Sequence, residues 1–362
     1  MFGKNIKFKI LTFILFSFFL ISVIFSTKTV NLNSSKTENA SNLIETKSLE
    51  DIKILAIVAN GFGDAYFWVK TQFEQWGCNF TTAGLTQQVS SCSNYPPIVT
   101  ITSDILVSEI TSEIITQFDC VYIPAGGHWV YLDINPATHN VLEMAYEEGL
   151  VVSAICIGTR ILARAGGIVD GVKVVYYQSS YELMLEAGAK IVYDAPVVSD
   201  KRIVTAMTGT CGYVNPNIYA FCTAIAKAVL GLSAIVSVTI EENTADSTNF
   251  SIAVEVTDLS DVFYGNDSTD ITQVRAFIYP EEEDAEYSYS ILTDEDEDNT
   301  YTGSFSNITK GRYTVEINVK SAAWGMEVVT ELNELTLRVS GYTNIMFLFT
   351  AIFLGLILKR KK

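Results

Sequence analysis

The chain has 362 residues, 49% of them hydrophobic, and a formal net charge of −17. That length accommodates two ordinary domains, that apolar fraction excludes global disorder, and that charge excludes nucleic acid as a partner. Residues 233–341 carry 22 acidic and 5 basic residues while the remainder carries 19 of each, so a domain boundary is expected near Leu232.

Lys4, Lys7 and Lys9 precede an apolar run from Ile10 to Phe25, so residues 1–26 read as a signal peptide or signal anchor. Ile24 and Ser26 make a poor cleavage site. Residues 27–50 are rich in Ser, Thr, Asn and Lys and read as a flexible spacer. Residues 51–232 then alternate strands with helices. Strands are expected at 52–58, 79–83, 119–123, 150–155 and 203–206. Helices are expected up to about Trp76 and over 136–148, 159–165, 181–187 and 216–230. This alternation predicts a mainly parallel sheet flanked by helices.

Residues 233–341 change to period two. Seven short strands are expected, at 236–241, 250–256, 274–279, 287–292, 301–305, 313–319 and 335–339. An acidic, all-β immunoglobulin-like sandwich follows from this pattern, and the segment from Gly311 to Val319 resembles a late strand of immunoglobulin-like surface modules. The acidic runs Glu281–Asp284 and Asp294–Asp298 offer oxygen ligands that calcium could take, but they lack EF-hand spacing and read first as solvated loops, so no metal site is assigned. Residues 342–358 form an apolar run at the short limit for a transmembrane helix, and 359–362 are a basic cytoplasmic tail. The basic residues lie outside both apolar runs, which puts both termini in the cytoplasm and the folded domains outside it. Sequons at Asn33, Asn39, Asn79, Asn249, Asn266 and Asn307 agree with export. The membrane is therefore an expected partner.

The segment Val151-Val152-Ser153-Ala154-Ile155-Cys156-Ile157-Gly158-Thr159 reads as a strand entering a tight turn and then a helix. Such an elbow presents the Cys156 side chain at the carboxyl edge of a sheet, and helix N–H groups there favour a thiolate. The alternative is an inert core cysteine.

These residues, with 53–62, Tyr122-Ile123-Pro124-Ala125-Gly126-Gly127-His128 and Ala163-Arg164-Ala165-Gly166-Gly167-Ile168-Val169-Asp170-Gly171, resemble the DJ-1/PfpI family of the class I glutamine amidotransferase-like fold. The resemblance spans about 53–231. Gly126-Gly127-His128 with Asp133 is most similar to the branch that holds stress-chaperone and glyoxalase members. It implies Cys156 as nucleophile and backbone N–H groups near Gly127 and Ile157 as oxyanion donors. The family's His after the Cys is replaced by Ile157, and its Glu on the first helix by Tyr66. His128 is then a surrogate base or a packed loop residue, and Tyr66 a donor to the sulfur or a packed ring. His139 reads as a surface residue.

All six cysteines lie in the α/β region. In an oxidising compartment Cys78 and Cys92 are the disulfide candidates, with Cys120 and Cys222 buried. The resemblance also brings Cys211 near Cys156. Two functions follow: a cysteine-dependent hydrolase or carbonyl-modifying enzyme using Cys156 with His128, or a non-catalytic surface module that binds a ligand or serves as a scaffold. A small molecule or peptide is expected at the Cys156 pocket, no cofactor is expected, and the resemblance implies a homodimer.

Overall fold

Ile54, Ala56 and Val58 alternate with Leu55 and Ile57, and all five are fully buried. In the computed structural model the first three join the core on one face of a sheet and the other two join the core on its opposite face. A strand buried on both sides has no polar face to show, which is why this run is unbroken by polar residues. Each of the four larger side chains contributes about 1.5–3 kcal/mol on full burial, and the Ala56 methyl less. The structure describes residues 27–31, 47–92, 97–207, 217–242, 249–257, 259, 262–263, 271–281, 286–309, 311–329 and 337–339.

The strands are, in chain order, β1 (Thr27–Asn31), β2 (Lys53–Val58), β3 (Asn79–Gly84), β4 (Gln88–Ser90), β5 (Thr100–Thr102), β6 (Ile105–Leu106), β7 (Cys120–Ile123), β8 (Val151–Ile155), β9 (Lys173–Val175) and β10 (Lys190–Val192). They continue with β11 (Val197–Asp200), β12 (Ile203–Ala206), β13 (Ile235–Glu242), β14 (Phe250–Val256), β15 (Ile271–Pro280), β16 (Ser288–Leu292), β17 (Thr300–Phe305), β18 (Gly311–Ser321), β19 (Gly325–Val329) and β20 (Leu337–Val339). The principal sheet has the order β16-β15-β18-β19-β11-β12-β8-β7-β2-β3-β6, with β20 also on β18. From β12 to β6 every pairing is parallel. Helices Ala65–Gln75 and Asn217–Leu230 cover one face through Val69, Phe73, Phe221 and Ile225. Helix Pro136–Glu147 covers the other through Val141 and Leu142. Asn135 caps the latter helix by accepting from the Thr138 N–H at 2.9 Å, and Pro136 follows at its first position.

The period-two region forms two facing antiparallel sheets. Val238, Ile240, Ile252 and Val254 of β13 and β14 share a core with Val274, Ala276, Val315 and Ile317 of β15 and β18. Several elements depart from expectation: β4, β5, β6, β9, β10 and β11 were not expected as strands, and β1 and β19 alter how the two regions join. β1 lies within the stretch read as a spacer, yet it pairs antiparallel with β13 over Thr27↔Glu241 to Asn31↔Ser237. β19 was not expected as a strand at all. It pairs antiparallel with β18 and parallel with β11, through Val198↔Met326, Ser199↔Glu327 and Asp200↔Val328. The sandwich and the α/β sheet are therefore one continuous hydrogen-bonded ladder.

That ladder buries charge. Lys227, 2% exposed, forms an ion pair with Glu327. Glu327 also accepts from the Ser233 hydroxyl at 2.7 Å and from the Ala234 N–H at 3.0 Å. The last helix of the α/β region and the first residues of the sandwich thus close on one carboxylate of β19. Lys173 pairs with buried Glu316 of β18 at a second point of the junction. Among the described residues no helix is long and apolar enough to cross a membrane. The apolar runs 10–25 and 342–358, the tail 359–362, most of the expected spacer, Cys211 and the run 282–284 lie outside the described residues.

Glu327→Ala would leave Lys227 charged and unpaired in the junction. A loss of about 3–5 kcal/mol of unfolding free energy is expected by urea denaturation, with Glu327→Gln losing less because its single amide oxygen can still accept from the Ala234 N–H.

Candidate functional site

Cys156 follows β8 without a linking residue and has φ 58°. A non-glycine residue in this left-handed region costs about 1–3 kcal/mol and persists only where its surroundings hold it. The surroundings here are the turn after β7. A Cβ on Gly158 would lie 2.8 Å from the carbonyl oxygens of both Ile123 and Pro124, so glycine alone lets the elbow close on that turn. A Cβ on Gly126, at φ 128°, would lie 2.2 Å from the Gly63 nitrogen. The turn after β2 fits into that space. Gly63 N–H donates to the Ala125 carbonyl at 2.7 Å, His128 N–H to Gly61 at 3.1 Å, and Cys92 N–H to Phe62 at 2.8 Å.

These turns surround a cavity of about 690 Å³ lined by Cys156, Ile157, Gly127, Arg160, Cys92, Trp129 and Tyr177, among others. Three of the expected site residues, Cys156, Gly127 and Ile157, therefore meet in one cavity. Cys156 is 5% exposed and lines this cavity.

His128 does not meet them. Its ring is fully buried and absent from the cavity wall. Nδ1 accepts from the Ala59 N–H at 3.3 Å, which leaves the ring proton on Nε2, 2.9 Å from the Pro124 carbonyl. Both nitrogens are occupied in the neutral tautomer, and burial pushes the pKa down to about 4. The expected role as a surrogate base is corrected: His128 ties the turn after β7 to the end of β2. Of the two readings of Tyr66, the structure agrees with the packed ring. Its hydroxyl lies 2.6 Å from Thr82 Oγ1, its ring packs edge-on against Phe62 and Phe80, and burial raises its pKa. His139, expected at the surface, is half-buried, with Nε2 3.1 Å from the Leu132 carbonyl.

The expected Cys78–Cys92 disulfide is also corrected, since both are free thiols. Cys78 precedes β3 at its amino end and donates to the Leu49 carbonyl at 3.0 Å. Cys92 sits at the carboxyl end of β2. The length of a six-residue strand, about 20 Å, separates the two ends, against about 6 Å between Cα atoms in a disulfide. Burial raises the Cys78 pKa to about 11 and that of Cys120 to about 12, and Cys222 is shifted in the same direction. These three are core residues, as expected for Cys120 and Cys222.

The residue that sequence reasoning missed is Arg160, one helical turn beyond Cys156. Its Nε and Nη2 donate to the two carboxylate oxygens of Asp133 at 3.0 and 3.2 Å. Its guanidinium lies 5.0 Å from the centre of the Trp129 ring. Arg164 also donates to Asp133, at 3.4 Å, so two cations share one buried carboxylate beside the cavity. The i, i+4 spacing from Cys156 was the available signal. No histidine and no carboxylate lines the cavity among the described residues. Elsewhere, Asp294, Asp296 and Asp298 bring carboxylate oxygens within 4.8 Å of one another. Asp294 and Asp298 already accept from backbone N–H groups of that turn.

Residues 52–227 match the family model "DJ-1/PfpI family". This segment is a DJ-1/PfpI family domain. Solved structures similar to it include a two-domain protein from Anabaena variabilis containing DJ-1/ThiJ/PfpI-like and ferritin-like domains. That protein is 23% identical over 50% of this chain and 49% of its own, with a TM-score of 0.43. Drosophila melanogaster DJ-1beta is 23% identical over 50% of this chain and 91% of its own, with a TM-score of 0.42. The putative protease I from Bacteroides thetaiotaomicron is 15% identical over 50% of this chain and 99% of its own, with a TM-score of 0.40. The match thus spans about half of the Anabaena chain. Comparison with curated proteins finds no match.

Because His128 is held neutral by the fold and charges readily when unfolded, its contribution to stability is complete above about pH 6.5. It is lost as the pH falls through 4. Urea denaturation should show a loss of about 3 kcal/mol over that interval that is missing in His128→Leu. The same variant should alkylate at Cys156 within about twofold of the wild-type rate, since the ring does not touch the sulfur's cavity.

Proposed function

We propose that the DJ-1/PfpI domain captures small carbonyl compounds by addition of the Cys156 thiol, and that the apolar runs 10–25 and 342–358 hold it at a membrane with the folded part outside the cytoplasm. The observation that carries the chemical reading is the composition of the cavity: a strained, elbow-mounted thiol and a fixed guanidinium, with no histidine or carboxylate. Amide hydrolysis requires a proton delivered to a departing nitrogen, normally from such a group. Aldehyde addition has no departing group. The sulfur–carbon bond forms, the carbonyl π pair moves to oxygen, and the proton lost by sulfur ends on that oxygen. Gly127 and Ile157 line the same cavity, and their N–H groups are the donors this reading assigns to the charge that develops on oxygen.

Arg160 supports a finer preference. Asp133 fixes its fork and Trp129 its plane, so it offers a directed cation to a carboxylate on the carbonyl compound. Two-carbon and three-carbon aldehydes or ketones bearing a carboxylate fit that arrangement better than neutral ones. The second reading, a binding module with no covalent step, is favoured by the same lack of a base.

The β region serves as the support. Its strand orders, β13-β14-β17 facing β16-β15-β18-β19, agree with an immunoglobulin-like sandwich.

Intact-mass analysis after incubation with glyoxylate and borohydride-free quenching at low temperature should show one adduct on wild type and none on Cys156→Ser. Arg160→Met should lower glyoxylate capture about tenfold while leaving acetaldehyde capture within twofold. Equal adduct on Cys156→Ser refutes capture by this thiol. Unmodified binding of the carboxylate by both proteins selects the second reading.

A further inference from the structure

Both ends of the described β region can be followed, by strand register, to the same pole of the sandwich. β1 enters at Thr27, opposite Glu241 near the end of β13. Glu242 lies opposite Phe250, the first residue of β14, and Phe250 lies opposite Phe305, the last residue of β17. The rings of Phe250 and Phe305 stack 5.1 Å apart, and the Asn307 N–H donates to the Asn249 side chain at 3.0 Å. The chain then crosses to the facing sheet in five residues and begins β18 at Gly311. Gly311 lies opposite Val339, the last residue of β20. The start of β1 and the end of β20 therefore share one pole although they belong to different sheets.

The sequence places an apolar run immediately outside each. The first run ends at Phe25, two residues before Thr27, and the second begins at Tyr342, three residues after Val339. At about 3.3 Å per residue, neither connection exceeds about 10 Å. Two apolar runs that leave one pole on such short connections can enter the same bilayer only if that pole rests on it.

The direction of the α/β strands then follows by counting senses across the continuous sheet. β19 runs antiparallel to β18, β11 runs parallel to β19, β12 antiparallel to β11, and β8 parallel to β12. β8 thus ends at the edge of the sheet opposite to the one where β18 starts. Cys156 follows the end of β8, so the elbow lies at the edge of the ladder opposite to the one that carries the pole.

We infer that the pole formed by Thr27, Glu242, Phe305 and Val339 is a membrane-apposed surface. The chain is held there by two points, with the sandwich as a pedestal that presents the Cys156 cavity to the aqueous phase rather than to lipid. This rests on the membrane reading given above and adds to it the attachment geometry and the orientation of the site.

The test uses the full chain reconstituted in phosphatidylcholine vesicles, whose neutral surface avoids repelling the acidic sandwich. A fluorescent amino acid is placed at Ser306, exposed at the pole, or at Gln87, exposed beyond the carboxyl end of β3. Nitroxide-headgroup lipid serves as quencher. The protein should float with the vesicles, and quenching at 306 should exceed that at 87 several-fold. The variant Phe347→Arg with Leu354→Arg, which leaves only the run 10–25 apolar, should still float and keep that order. Flotation with equal or reversed quenching overturns the orientation. Release of the doubly charged variant overturns attachment at two points. Failure of the wild-type chain to float overturns the membrane reading itself, and the inference with it.

Discussion

The structure depends on the pairing of β19 with β11. The outer strand of the α/β sheet would otherwise present a row of unpaired N–H and C=O groups, a template for uncontrolled association. Here a strand of the sandwich fills that row with parallel hydrogen bonds from Val198, Ser199 and Asp200. The side chains on either side consolidate it. Glu327 of β19 gathers Lys227, Ser233 and Ala234, which are the last helix and the first turn of the sandwich. A buried ion pair adds little net stability over an apolar contact, but its three donors accept only one placement of β19. The relative orientation of the two parts is therefore set by directional bonds rather than by a flexible linker.

That continuity has a consequence for function. The parallel strands all end at one edge of the ladder, and the turns after β2, β7 and β8 meet there. Their meeting is made close by the lack of a side chain at Gly126 and Gly158. The cost of the left-handed Cys156 backbone is met by this packing, which projects the thiol into a cavity with a guanidinium fixed by Asp133. The histidine that looks catalytic in the sequence instead spends both ring nitrogens on backbone groups. The site thus keeps a thiol at the elbow position, and neither ring nitrogen of His128 is directed to it.

The sandwich likewise gains meaning from register. Its charge and its period-two pattern read as a separate unit, and alone they say nothing of where its ends point. Only the pairings of β1 and β20 bring both ends to one pole, and only the alternation of senses through β19 and β11 sets the cavity at the opposite edge. A shift of β20 to the other end of β18 would preserve every residue pattern and abolish that arrangement.

Much of this was legible in the sequence, because local periodicity and turn chemistry are local properties. The unbroken apolar run of β2, the helix start at Pro136, the elbow at Cys156 and the seven sandwich strands to within three residues were read from neighbours along the chain. The sequence by itself determined that a thiol stands at the carboxyl edge of a parallel sheet. Tertiary structure decided what surrounds it. Whether His128 faces the sulfur or the backbone, whether Cys78 can reach Cys92, and that Arg160 and Asp133 close into one pair depend on contacts across separate strands and turns. β19 escaped for the same reason. Gly325-Met326-Glu327-Val328-Val329 has a charge in its middle and no period-two pattern, and it becomes a strand because β18 and β11 both supply partners while Lys227 neutralises the charge.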